Sequence, residues 1–393
     1  NILFIAAVSA IPTGRVEVVF PSVETSRSGV KIVKFRALGE DVELKLEPAG
    51  DILAEDFAIY NSNNEKQYTV DVESLRRRIY RDDTNAAVLL IDDVEQPPSI
   101  EGNIISKLKI TPIEWTGMTR NGRRAHRIEE VISDENSFLR DFVIPSDIET
   151  EMEDLTQLGK DKECIVIEFL CATESNFTKQ YKTHKELTEY VASIYSGAEG
   201  LYRRSDVKIK FRLLGIQAFT EEDEPPFIKT SINKDGKYYN LKRFVDGLKI
   251  YYCENPTDLS SKADIIYLFT KRTFQNAKRL KNAHTVAVGV MLDSGACQNC
   301  TKVGVLADNF NYLQAMITLA HETAHGIGVP HDGDSAKTIG LRGNPGALSC
   351  PFKDGYIMGS SSGVNSLKFS KCSKECMAYF LSLPRSSCLH EKC

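Results

Sequence analysis

The stretch "HETAHGIGVPHD", residues 321–332, holds three of the chain's seven histidines within eleven positions. Just upstream, "NYLQAMITLAHETAH" (311–325) sets Leu313, Met316, Ile317, Ala320 and Ala324 at three- and four-residue steps, which predicts an amphipathic helix. His321 and His325, four apart, project from one face of that helix. This is the spacing at which two neutral imidazoles grip one Zn2+ from about 2.0–2.1 Å. Gly326 and Gly328 tolerate positive φ, so the chain can leave the helix abruptly and return His331 as a third ligand. Three protein ligands leave a fourth position for water, as in a catalytic zinc, whereas a structural zinc has that position filled by protein. Glu322, on the adjacent turn, reaches that water without binding the metal and is the candidate general base. The chemistry these parts predict is hydrolysis of an amide by water, with no acyl-enzyme. At average residue usage the extended pattern arises by chance in about one chain in fifty thousand of this length.

Outward from this motif the chain divides in two. All ten cysteines lie from Cys164 onward, so the two regions differ in architecture, with a boundary near 150–163. Hydrophobic content of 42% and a net charge of −5 describe globular material with no basic footprint for nucleic acid. The opening "NILFIAAVSAIPTG" carries a short apolar run, Ile2–Ala7, ending in small residues; it reads as part of a secretory signal over residues 1–10, with a buried strand as the alternative. No other stretch is long enough to cross a bilayer. An even number of cysteines behind such a leader predicts disulfides, and sequons at Asn176 and Asn299 are compatible with secretion. Residues 16–115 form short alternating segments such as "VKIVKFRALG" and "VELKLEPAG", which predict a small β-rich unit. The polar run from about 120, ending in a linker at 151–162, predicts an exposed connector. Within it, Arg120-Asn-Gly-Arg123-Arg124 has the paired-basic look of a processing site, with a solvated strand or loop as the alternative. From 163 the pattern alternates: "ECIVIEFLCAT" as strand, "HKELTEYVASIYSGAEGLYRR" as helix, "VKIKFRLLGIQAF" as strand, "LKRFVDGLKIYY" as helix, then "ADIIYLFT" and "TVAVGVML" as strands. Such alternation predicts an α/β domain with a largely parallel sheet.

These residues resemble the metzincin metalloproteases, whose pattern H-E-x-x-H-x-x-G-x-x-H precedes a methionine turn that "GYIMGS" (355–360) supplies with Met358. Asp332, directly after the third histidine, is similar to the reprolysin (adamalysin) branch, while Ser360 stands where astacins carry a tyrosine. The resemblance covers the whole cysteine-bearing region. It implies a metzincin-type α/β (α+β) protease domain over 163–393, with a mixed, mostly parallel sheet and an active-site helix, preceded by a β-rich propeptide over 11–150. "FSKCSKECMAYFLSLPRSSCL" (369–389) resembles the family's C-terminal helix and closing cysteine, which implies that Cys388 pairs with Cys297 or Cys300. A structural Ca2+ is implied at Glu168, Asp264 and Glu391, the last standing where the family usually has Asn; solvated surface acids are the alternative. "AHTVAVGVML" (283–292) matches the edge strand beside the cleft, where an extended polypeptide can add through its main chain. Because no cysteine precedes Cys164, latency falls to the pro-region filling the groove or to a non-cysteine group meeting the metal. The combination most resembles the secreted salivary metalloproteases of ticks.

The expectation is a secreted, monomeric zinc endopeptidase acting on extracellular or plasma proteins of the fibrinogen or matrix kind. A catalytically silent secreted binder with the same fold is the alternative, and the intact Glu322 counts against it. A zinc-stabilised structural module would need a fourth protein ligand, and none stands nearby in the sequence.

Overall fold

The computed structural model describes residues 14–67, 70–94, 96–104, 108–113, 119–130, 163–275, 286–308 and 311–392. The expected signal segment and the linker at 151–162 lie outside the described residues. The described residues form two compact units, one drawn from 14–48 and 78–130, the other from 49–77 and 163–392.

The first unit is the β-rich one. Its described strands run in the order Val16–Val19, His126–Glu130, Leu108–Pro112, Ser99–Ile104, Ala87–Asp92, Ile79–Asp82, Glu40–Pro48, Lys31–Ala37, Ser22–Thr25, each pair antiparallel. Lys31–Ala37 and Glu40–Pro48 bury every second side chain, so Val33, Phe35, Val42, Leu44 and Leu46 share one core with Ile91, Ile100, Ile110 and Ile128. The paired-basic stretch is a hairpin: Thr119 faces Arg124 and Arg120 faces Arg123, with Asn121 and Gly122 at φ 52° and 72°. Asn-Gly is the pair that a tight two-residue hairpin turn demands. His126 is buried beside it. Its Nε2 accepts from the Ile100 N–H at 2.9 Å and its Nδ1–H donates to Arg124 O at 3.0 Å, which requires the neutral ring. Burial pushes its pKa down to about 4.

The second unit carries the alternating pattern, and its sheet holds these strands: β1 (Leu53–Tyr60), β2 (Lys66–Gln67), β3 (Glu163–Thr173), β4 (Ile209–Ala218), β5 (Ile265–Thr270), β6 (Gly289–Met291), β7 (Val303–Ala307) and β8 (His390–Lys392). Their order is β6-β7-β5-β3-β4-β1-β2, with β8 paired to the start of β3. β7, β5, β3, β4 and β1 run parallel to one another, while β6, β2 and β8 each pair antiparallel to theirs, so the sheet is mixed and mostly parallel as expected. The centre of the sheet is dry: every residue of β5 is buried, and so are Val166, Ile167, Phe169, Leu170, Cys171 and Ala172 of β3. Continuous apolar runs of this kind suit strands covered on both faces.

Two compact-unit boundaries depart from the expected division. Residues 49–77, which the resemblance assigns to the pro-region, belong to the second unit, where β1 pairs with β4. The strand expected over "TVAVGVML" is also divided, into Val286–Ala287 in a small three-stranded sheet and β6 in the main one.

Helix α1 (His184–Arg204) starts at Thr183, whose side chain accepts from the Glu186 N–H, and buries Leu187, Val191, Ile194, Ala198 and Leu201. Helix α2 (Leu241–Glu254) is capped in the same way by Asn240. Helix α3 (Tyr312–Gly326) carries the histidines and lies on α1. Gly197 makes the close approach possible, since a Cβ there would stand 2.5 Å from both Met316 Sδ and Tyr312 Oη. Two hydroxyls then pin the pair: Tyr312 Oη donates to Ser193 O at 2.8 Å and Tyr202 Oη to Ala320 O at 2.9 Å. Helix α4 (Lys371–Leu381) closes the unit.

Candidate metal centre and active site

α3 ends in the manner that brings its third histidine back. Gly328 has φ 79°, its N–H donates to His325 O at 3.0 Å, and Val329 N–H donates to Ala324 O at 3.0 Å. Those two bonds form a Schellman motif with glycine in the left-handed position. Gly326 serves a different purpose from the one expected. It is the last helical residue, and a Cβ there would meet Met291 Cε at 3.1 Å, so it makes room for β6 and supplies no positive φ.

The reversal places His331 against the other two rings. The three Nε2 atoms stand 3.1 Å (His325 to His321), 3.2 Å (His325 to His331) and 3.3 Å (His331 to His321) apart. Ligands of a tetrahedral zinc at 2.0–2.1 Å would be separated by roughly 3.3–3.4 Å, so the trio is close to that shape. The protonation pattern agrees. His321 Nδ1 donates to Ile357 O and His325 Nδ1 to Val329 O, each at 2.8 Å, which leaves the Nε2 lone pair of both rings directed at the shared point. Lone pairs converging in a buried place repel one another, and a cation between them removes the repulsion. His321 and His325 are 0% and 1% exposed, while His331 forms the more open side.

The carbonyl that orients His321 comes from the expected methionine turn. Met358 is fully buried, and its own O accepts from the Asp332 N–H at 2.8 Å. Asp332 in turn accepts from Ser370 Oγ at 2.7 Å, the residue that caps α4. Burial raises the Asp332 pKa, against the pull of the Ser370 and Ser373 hydroxyls. Asp332 thus ties the third histidine's loop to both the methionine turn and the last helix.

Glu322 is 1% exposed and faces β6. The strand can lie so close only because residue 289 is glycine: a Cβ there would stand 2.6 Å from Glu322 Oε1 and 2.5 Å from Thr318 Cγ2. Sequence reasoning missed Gly289, although a glycine inside a strand pattern signals close backbone approach. It also missed the two carbonyls, since the backbone partner of a side chain leaves no mark on residue identity. β6 forms the outer strand of the described sheet, antiparallel to β7, as the resemblance implied for the cleft edge.

The other expected groups fall away from this centre. Cys388 pairs with Cys297, and Cys300 pairs with Cys253. A further bridge joins Cys350 and Cys372. Glu168 and Glu391 do meet, but on a cation that the chain itself supplies. Arg212 Nη1 donates to Glu168 at 2.9 Å and to Glu391 at 2.6 Å, and Nη2 donates to Glu391 at 2.9 Å. Asp264 accepts the Glu168 N–H at 2.8 Å, and burial pushes its pKa up to about 7.

With this geometry established, comparison with known proteins places the chain. Metallo-peptidase family M12, in its reprolysin form, matches residues 164–370. The chain is 44% identical over 394 residues to the venom metalloproteinase antarease of Tityus serrulatus, covering 100% of this chain and 98% of that one. It is 49% identical over 360 residues to a metalloproteinase of Tityus obscurus, covering 92% and 95%. A venom metalloproteinase of Olivierus martensii is 34% identical over 400 residues, covering 100% and 97%. The family is the expected one, and these relatives include venom proteins where the resemblance pointed to tick saliva. The chain belongs to the reprolysin-type M12 metallopeptidases and is a metalloendopeptidase.

Proposed function

We propose that this chain is a secreted, monomeric zinc endopeptidase, made with a pro-region over residues 11–150, that cuts extracellular or plasma proteins of the fibrinogen or matrix kind. The observation that carries the reading is the convergence of three Nε2 atoms at 3.1–3.3 Å, with two of the rings oriented by carbonyls. His321, His325 and His331 would hold the zinc. When bound, zinc supplies Lewis acidity, which favours ionisation of water and polarises the substrate carbonyl.

The protein's own groups do the rest. Glu322 takes the proton from the attacking water and hands it to the nitrogen of the leaving amine, which breaks the C–N bond without an acyl-enzyme. The edge of β6 holds the substrate extended through main-chain hydrogen bonds, which gives affinity with little demand on side chains. Release from the cell fits the venom relatives and the finding that no described helix is long and apolar enough to cross a membrane. Calcium has no part in this reading, because the guanidinium of Arg212 already stands between Glu168 and Glu391 as their cation. Latency rests with the pro-region, and thiol-modifying reagents are expected not to activate the precursor.

The test is digestion of fibrinogen and gelatin by the processed protein, with and without a chelator, beside Glu322→Gln. Loss of cleavage with the chelator and a fall of about 100- to 10,000-fold in Glu322→Gln are expected. Binding without cleavage by the wild type would favour the silent binder.

A further inference from the structure

The parallel strand β1 belongs to a segment that the pro-region reading would remove, yet it is built into the catalytic sheet. Leu53 faces Leu213, Ala58 faces Gly215, Ile59 faces Ile216 and Tyr60 faces Gln217. The fit is specific on the β4 side. A Cβ on Gly215 would stand 2.8 Å from the Tyr60 ring and 2.9 Å from Ala58 O, so this glycine is matched to the strand that covers it. Ile52, Leu53, Phe57, Ile59 and Leu75 are all buried. Polar contacts continue past the strand: Gln217 Nε2 donates to Asn64 Oδ1 at 3.2 Å, and Ser62 Oγ donates to Asp223 Oδ2 at 2.9 Å. The ends of the excursion meet, because Gly50 lies against the backbone of Arg76 so tightly that no Cβ could be added there.

We propose that residues 49–77 stay on the catalytic unit after the chain is cut, and that the outer edge of β4 is a docking surface for this segment of the chain's own pro-region. Hydrolysis of one amide bond among residues 131–162 adds water across C–N, leaves a carboxylate and an amine, and leaves the pairing of β1 with β4 in place. The processed enzyme is then a two-chain complex in which the pro-segment supplies a strand. This inference rests on the reading that the pro-region is cut away from residues 163–393, but its test introduces its own cut.

The experiment uses the full chain carrying Glu322→Gln to prevent self-digestion, with a recognition site for a sequence-specific peptidase placed within residues 140–155. After cutting, gel filtration with mass spectrometry follows the two fragments through a dilution series. Co-elution is expected at micromolar concentration and below. In Ile59→Asp, which places a carboxylate in the buried seam, and in Gly215→Val, which strikes the Tyr60 ring, the dissociation constant should rise by at least about 100-fold. Near-ultraviolet circular dichroism of each uncut variant shows that its fold survives, and the second variant serves if the first misfolds. Separation of the wild-type fragments, or unchanged affinity in a folded variant, overturns the proposal. Failure to find any natural cut would sink the pro-region reading and leave this result standing.

Discussion

Gly289→Ala isolates the contact between the cleft strand and Glu322. The added methyl would start 2.6 Å from Glu322 Oε1, and ordinary contact begins at 3.4 Å, so the carboxylate must shift by about 0.8 Å. Thr318 Cγ2, at 2.5 Å on the stiff face of α3, has little freedom to yield, so the strand must back away from α3 while the end of Glu322 moves. Misplacing a catalytic group by about 1 Å costs on the order of 100-fold in rate, so kcat should fall about 10- to 100-fold. Overpacking itself should cost about 1–3 kcal/mol of stability. The assay is steady-state hydrolysis of a quenched fluorescent peptide, read beside zinc content and a thermal melt. Zinc content should be unchanged, since the histidines keep their positions. Gly326→Ala is the matched control, because its Cβ would meet Met291 Cε at 3.1 Å, Met291 Cγ at 3.3 Å and Ile265 Cδ1 at 3.4 Å, all on side chains that can give by a few tenths of an ångström, and near wild-type kcat is expected. A Gly289→Ala enzyme with wild-type kcat would refute the placement of Glu322 at the reacting water.

The first unit should be acid-labile. His126 is pushed from 6.5 in the unfolded chain down to about 4 by burial, so the unfolded state binds the extra proton; the stability present above pH 6.5 is lost as pH falls toward 4. Between pH 7 and pH 5 the loss is about 2 kcal/mol, read as a falling melting temperature of that unit, and a His126→Gln chain with the same slope would contradict it. Millimolar calcium should not move the wild-type melting temperature. Arg212→Met should lose about 1–2 kcal/mol and become calcium-responsive, because Glu168 and Glu391 then lack their guanidinium. A calcium-dependent wild-type melt would show that the ion has a place there after all.

Local periodicity carried far in this chain. The helix expected over 184–204 has those bounds, because its apolar spacing and its Thr183 cap are both written within one segment. The histidine trio was legible for the same reason: a helix face, a left-handed glycine and a short return are all local. What stayed hidden depends on partners distant in the chain. Nothing in "LAEDFAIY" says that it joins a strand some 150 residues later, in parallel, rather than the β-rich unit around it. Arg212 looked like one charge among many in a strand, and only folding sets it between Glu168 and Glu391, 44 residues before it and 179 after it. Gly326 was misread because helix-breaking and close packing both call for glycine, and the choice between them lies in Met291 of a different element.

The account depends most directly on His321, His325 and His331 holding one zinc ion. X-ray absorption at the zinc edge, combined with elemental analysis of the processed enzyme, measures that alone. About one zinc per chain is expected, with nitrogen and oxygen donors at about 2.0–2.1 Å and no sulfur in the shell. A processed, active enzyme with no tightly held zinc, or with sulfur among its ligands, would contradict the account.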